Sequence, residues 1–337
     1  MNTTLLRILT LIAITFSHAS CTQKAQKEYI HLNGFTQGTT FSIVYYNKDG
    51  KDFSTQVDSI FAAIDTSMSV YNQSSVIVAF NNSQNGYELD PLLTEVVKQS
   101  FAITAETNGA FDITVGPLVK AWGFHIKRGE MPTNEKVQEL LSFTGSDKVE
   151  LKETFLAKKH PKAMIDVNAI AQGFTVDVVG MFLEENGVTD YLVEVGGEVR
   201  TLGKSPRAAD WIVGVDKPVD DALSGDNLQV KISLSGQSLV TSGNYRKFFV
   251  RDGIKYSHTI DPKTGYPVNH TLLSATVLDK TGARADALAT AFMVIGVDST
   301  KKWLGKHKDI QAYLIFSDST GDYRVWMTPE MKEMIVD

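Results

Sequence analysis

Cysteine occurs once in this chain, at Cys21, which excludes an internal disulfide and any cysteine-rich zinc site. HExxH, CxxC, GxSxG and GxxxxGK[ST] patterns are all missing, so the sequence offers no zincin, dithiol, nucleophile-elbow or P-loop chemistry. Gly196-Gly197 lacks the third glycine of a dinucleotide fingerprint and reads as a tight turn between strands. Basic residues are outnumbered, 33 lysines and arginines against 39 aspartates and glutamates. A formal net charge of −6, with no basic run, argues against nucleic acid as a partner. There are no repeats and no low-complexity segments.

What is present describes an ordinary globular protein: 337 residues, 43% hydrophobic and 21% charged, enough for one large domain or two. The start differs from the rest. Residues 5–16 form an apolar stretch beside Arg7, too short to span a bilayer and of the right length for a signal-peptide core. It ends in HASC, so residues 1–20 read as a leader. Cys21 stands where a bacterial lipoprotein signal carries its lipidated cysteine, with His18 in place of the usual leucine. The alternative is a secreted protein with one free thiol. Residues 21–29 then form the anchor and a polar tether, and the folded domain runs from 30 to 337. The expected address is a membrane, reached through lipid from the periplasmic side.

Hydrophobic spacing predicts strand, turn and strand over 29–46, and helices over 53–68 and 91–107. The second helix has Asp90 as N-cap, Pro91 at its first position and Asn108-Gly109 as its stop. AFDIT follows as a short strand. Residues 123–163 read as a charged surface excursion with one helical patch at 135–141. A strand at 163–167 runs into a helix over 169–185, which Asn186-Gly187 ends. Strand patterns dominate from 191 to 260. TLLSATVL adds another strand, and YLIFSD with DYRVWM a late hairpin. Helices and strands mix without βαβ alternation, which predicts an α+β fold of mixed sheets with flanking helices.

Residues 281–296 (TGARADALATAFMVIG) are apolar nearly all round, so a helix there belongs inside the protein. Asp286 and Thr290 share one face of it, a turn apart. A buried carboxylate is costly unless paired, hydrogen-bonded or metal-bound. Either the two oxygens hold a hard cation such as Mg²⁺, or Asp286 pairs with Arg284 while Thr290 bonds back to its own helix. In IDVNAIAQGFTVD, Asp166 and Asn168 lead into a small, glycine-containing helix start whose backbone N–H groups suit phosphate, unless Asp166 is simply a cap. In GAFDITVGP, Phe111 could be core and Asp112 a turn residue. In VTSGNYRKFF, Ser242-Gly243 could form a polar turn, and Arg246 could meet a phosphate or a surface carboxylate. In YSHTIDPKTGYPVNH, Pro262 and Gly265 set a turn just after His258, whose reference pKa of about 6.5 suits proton transfer near neutrality.

Taken in order, GFTQGTTFSI, MSVYNQSS, GAFDITVGP, IDVNAIAQGFTVD, VEVGGEVR, SGNYR, SHTIDPKTGYP and ADALATAFMVIG resemble the bacterial FAD:protein FMN transferases, the ApbE family of flavin transferases. The resemblance runs from about residue 30 to the terminal VWMTPEMKEMI. It implies a T-fold-like architecture and a Mg²⁺-dependent enzyme that cleaves the pyrophosphate of FAD. FMN would pass through a phosphoester bond to a threonine of a partner protein, with release of AMP. Metal ligands would fall on Asp286, Thr290 and the backbone carbonyl of Ala169. Flavin contacts would fall on Gln37 (often Met in relatives), Tyr71, Ala110, Phe111, Asp112, Asp166, Gln172 and Ile260. His258, beside the site, is the candidate general base. The acceptor would be a membrane redox subunit. Two other readings use the same site: hydrolysis of FAD to FMN and AMP, and flavin binding by a lipoprotein without turnover.

Overall fold

The computed structural model describes residues 27–124, 131–217, 228–244, 248–251 and 254–336. The leader, Cys21, most of the tether and Arg246 lie outside them.

β1 (Tyr29–Thr36) and β2 (Thr39–Tyr46) form an antiparallel hairpin, with Thr36 opposite Thr39. Its two-residue turn, Gln37-Gly38, takes positive φ at both positions, which matches the twist of the flanking strands. α1 (Ser54–Met68) buries Val57, Phe61, Ile64 and Met68 at helical spacing, and α2 (Val76–Asn82) is capped by Ser75. After β3 (Gly86–Glu88) comes α3 (Pro91–Glu106). The Asp90 carboxylate accepts the N–H groups of Leu92 and Leu93 at 2.8 and 3.0 Å, a cap worth about 1 kcal/mol.

AFDIT is not a strand. Asp112 Oδ1 accepts both the N–H and the hydroxyl of Thr114, at 2.8 and 2.6 Å, and residues 113–115 wind into a 3₁₀ turn. Such local side-chain bonds compete directly with a sheet ladder. α4 (Gly116–Ala121) and α5 (Asn134–Leu141) follow. The surface excursion holds more order than expected: β4 (Val149–Lys152) and β5 (Phe155–Lys158) form a hairpin that pairs with β3.

Residues 163–167 join no sheet among the described strands. The Asn81 amide occupies both backbone groups of Ile165, at 2.8 and 2.9 Å, and Asp166 N–H donates to Ile113 O at 2.7 Å. With those groups satisfied, a ladder partner is unnecessary. α6 (Ala171–Glu185) therefore starts two residues later than its pattern suggested. β6 (Asp190–Val195) and β7 (Glu198–Leu202) turn at Gly196-Gly197, both with positive φ. β8 (Trp211–Asp216), β9 (Leu228–Leu234), β10 (Ser238–Gly243), β11 (Phe248–Arg251), β12 (Ile254–Ser257) and β13 (Leu272–Asp279) continue the strand-rich half. Ser242 and Gly243 end β10 rather than forming a turn. α7 (Gly282–Leu304), β14 (Gln311–Ser317), β15 (Tyr323–Met327), α8 (Pro329–Glu333) and β16 (Ile335–Val336) complete the chain.

Eight strands form the main sheet, in the order β1-β2-β6-β7-β10-β13-β14-β15, and the pairings named within it are antiparallel. The fold is α+β, as the mixed pattern predicted. α7 packs against β10, β13, α3 and α6. Ala283, Ala285, Ala287, Ala289 and Ala291 are all fully buried, and side chains this small let neighbours close in on every side. The helix breaks at Gly296, where the sequence pattern ended, and a second segment continues to Leu304. His270 Nε2 lies 2.7 Å from the Met293 carbonyl at the break.

Candidate active site

A cleft of about 1490 Å³ opens beside α7 and the start of α6, closed in by the β1–β2 and β6–β7 turns, residues 110–124 and residues 258–262. Gln37, Tyr71, Ala110, Phe111, Asp112, Asp166, Ala169, Gln172, His258, Ile260, Asp286 and Thr290 all line it. Residues spread over most of the sequence are thus brought to one surface.

The back of the cleft is set by two helices in unusually close approach. A Cβ at Gly173 would lie 2.7 Å from Asp286 Cβ and run into the Gly282 carbonyl, and a Cβ at Gly282 would meet Val176 and the Gly173 carbonyl. Glycine on both sides lets α6 and α7 touch backbone to backbone. Asp286, 5% exposed, accepts the Gly173 N–H on Oδ2 at 3.1 Å. The α7 N-terminus has no side-chain cap of its own. Asp177 of α6 supplies one, accepting from Gly282 N and Ala283 N at 2.8 and 2.9 Å, while Arg200 Nη1 donates to it at 2.7 Å. Burial pushes the Asp177 carboxyl upward, and these donors pull it back. Nothing in the periodicity of either helix announces this cap, because its partners lie about a hundred residues apart in the chain.

The internal-pairing reading of Asp286 is overturned. Arg284 turns away to Glu106, Asp279 and Asp309, at 2.6, 2.6 and 3.3 Å. Thr290 does not bond back to its helix; its hydroxyl sits 3.4 Å from Ser242 Oγ on β10. Nor is Asp166 a helix cap. It accepts from Asn168 N at 2.9 Å, whereas the α6 N-cap position is Ile170. The start of α6 also offers fewer phosphate donors than its sequence implied. Ile170 and Ala171 donate to Val167 O, and Gly173 to Asp286.

Around the mouth, the Gln37 amide donates to Thr175 Oγ1 at 2.7 Å, fixing the hairpin turn to α6. Gln172 lies against Gly196, where a Cβ would strike its amide. Tyr71 is 64% exposed, and its phenol pKa is pushed up by desolvation and then by the nearby Asp166 charge. Both carboxylate oxygens of Asp112 serve the protein itself: Oδ1 holds Thr114 and Oδ2 accepts Ser146 N–H at 2.9 Å. Asp112 thus shapes the wall, and burial raises its pKa. The turn after His258 is clamped by bonds that sequence reasoning missed. Trp122 Nε1 donates to Gly265 O at 2.8 Å, and Asp261 N–H donates to Tyr266 O at 2.9 Å. Half-buried His258 is held at the cleft by this clamp, with Phe124 edge-on at 6.5 Å.

Among the described residues, the charged side chains of the lining are all acidic. Asp65, Asp112, Asp166, Glu198, Asp216 and Asp286 line the cleft, with no lysine or arginine among the described residues. The described residues hold no group of three or more His, Cys, Asp or Glu placed for a metal. Asp286, Thr290 and Ala169 all line the cleft, and a carboxylate, a hydroxyl and a backbone carbonyl are oxygen donors of the kind that suit a hard cation such as Mg²⁺.

The ApbE family model matches residues 37–314. This chain belongs to the ApbE family. A Vibrio cholerae protein named FAD:protein FMN transferase is 37% identical over 286 residues, covering 82% of this chain and 84% of that protein. A Haemophilus influenzae protein of the same name is 35% identical and covers 92% of each chain. Among solved structures, the flavin transferase ApbE from Vibrio cholerae superposes with a TM-score of 0.82 at 33% identity, over 91% of this chain and 99% of that one. Pseudomonas stutzeri flavinyl transferase ApbE also gives 0.82, at 30% identity over 92% and 97%. The ApbE fold predicted from motif order is therefore the fold observed.

Proposed function

We propose that this ApbE-family chain is a FAD:protein FMN transferase, dependent on Mg²⁺, that moves FMN from FAD to a threonine hydroxyl of an acceptor protein and releases AMP. The observation that carries this reading is the convergence of the motif residues, from Gln37 to Thr290, on one carboxylate-lined cleft. Asp286, Thr290 and the Ala169 carbonyl would hold the cation. When bound, it would neutralise negative charge on the pyrophosphate as that charge grows. Tyr71 offers an exposed aromatic face to the flavin ring. Ala110 and Phe111, both buried, form an apolar wall that the fused Asp112 turn keeps in place. Gln37, Gln172, Asp166 and Ile260 complete the flavin-binding surface. His258 would take the proton of the attacking threonine hydroxyl, which is a poor nucleophile while it keeps that proton.

The address follows the same reading. Cys21 would carry lipid and hold the enzyme on the periplasmic side of a membrane, near a membrane redox subunit as acceptor. No helix among the described residues is long and apolar enough to cross a membrane. Incubation with FAD and Mg²⁺, with and without a threonine-bearing acceptor, tests the activity. AMP released only with acceptor, together with FMN on the acceptor, is expected. AMP without acceptor would mean hydrolysis, and no AMP at all would reduce the protein to a flavin binder.

A further inference from the structure

A second groove, of about 390 Å³, lies against α4. That helix is the wall between groove and cleft: Val119 lines the cleft, Lys120 the groove, and Ala121 both. The groove has an apolar floor that includes Pro117, Leu140 and Phe143. Three lysines line it, Lys120, Lys136 and Lys162. Lys136 and Lys162 share a single carboxylate, Glu139, at 2.8 and 3.0 Å. Lys120 is exposed and has no carboxylate partner among the described residues. On a chain of net charge −6, this rim carries three positive charges against one negative.

We propose that this groove docks the acceptor polypeptide, taking an acidic side chain of the acceptor against the lysines and an adjacent apolar one on the floor. The inference rests on the transfer reading for its choice of partner, but its geometry is independent of the chemistry. Cationic rims around an apolar floor suit an acidic, apolar segment, because the floor supplies contact area and the charges set register and on-rate. A helix is about 10 Å across, and an extended chain advances about 3.3 Å per residue. An acceptor crossing α4 would therefore carry its acidic residue roughly three or four positions from the threonine that enters the cleft.

The test uses the full chain and a fluorescein-labelled peptide bearing one threonine, with a pair of aspartates about four residues away. A second peptide carries lysines in their place. Fluorescence anisotropy reads binding to the wild type and to the Lys120→Glu/Lys162→Glu variant. The aspartate peptide should bind the variant roughly tenfold more weakly, and the lysine peptide should reverse that order. Equal binding of either peptide to both proteins, or no binding of the aspartate peptide to the wild type, overturns the proposal. FAD titration reports folding, since neither lysine lines the cleft. If the double variant loses FAD binding, Lys120→Ala, at an exposed position, carries the same comparison. A peptide that docks as expected but never receives FMN would leave the groove standing and sink the transferase reading instead.

Discussion

At the scale of single residues, the site separates into groups that would do chemistry and groups that hold them. His258 belongs to the first. If it is the general base, His258→Ala should bind FAD and Mg²⁺ nearly normally while transfer falls roughly 10²–10⁴-fold. The parent rate should rise with pH through one ionisation that the variant lacks. A variant that loses FAD affinity but keeps its rate at saturating FAD would move the base elsewhere, with Asp166 the next candidate. Asp286 offers a cleaner separation. Asp286→Asn keeps an oxygen for the Gly173 N–H, so the variant should stay folded. Its apparent Mg²⁺ affinity should drop on the order of a hundredfold or more, because the charged ligand is gone. Wild-type Mg²⁺ dependence in that variant would return Asp286 to a purely structural role. Asp286 and Thr290 could be picked out beforehand because polar side chains at i and i+4 in an apolar helix are anomalous. The turn role of Asp112 is legible in the sequence too, but not its second bond, to Ser146.

At the scale of elements, the geometry of the back wall depends on how closely α6 and α7 approach. Gly173→Ala should cost about 1–3 kcal/mol, since its methyl would collide with the Gly282 carbonyl and Asp286. The same shift should carry Asp286 away from Ala169 and weaken Mg²⁺ binding. Thermal unfolding and a metal titration on one preparation would check both, and a variant of full stability with full metal affinity would refute the close-packing account. Asp177→Ala should cost about 2–3 kcal/mol, because it uncaps α7 and removes one of the two carboxylates paired with Arg200, which keeps Glu184. Element type was legible wherever periodicity was strong, as in α1, α3 and the late hairpin. It failed at AFDIT and at 163–167, where side chains of Asp112 and Asn81 satisfy backbone groups that a sheet would otherwise take.

At the scale of the whole molecule, attachment and catalysis should be separable. Cys21→Ala should release the protein to the soluble fraction with transfer activity intact, as cell fractionation followed by an FAD assay would show. A variant that stays with the membrane would remove the lipid anchor from the account. The amino-acid sequence determined by itself the α+β class, the family, the helix that must be buried and the residues to watch, because periodicity and motif order are properties of the chain alone. Tertiary structure decided the rest. Only folding revealed that Arg284 is spent on Glu106, Asp279 and Asp309, that Asp177 caps a helix it does not belong to, and that Trp122 clamps the turn beside His258. It alone assembled a cleft of six carboxylates with no lysine or arginine among the described residues. Each of these is a contact between segments far apart in sequence, and which distant groups meet is set by packing rather than by local pattern.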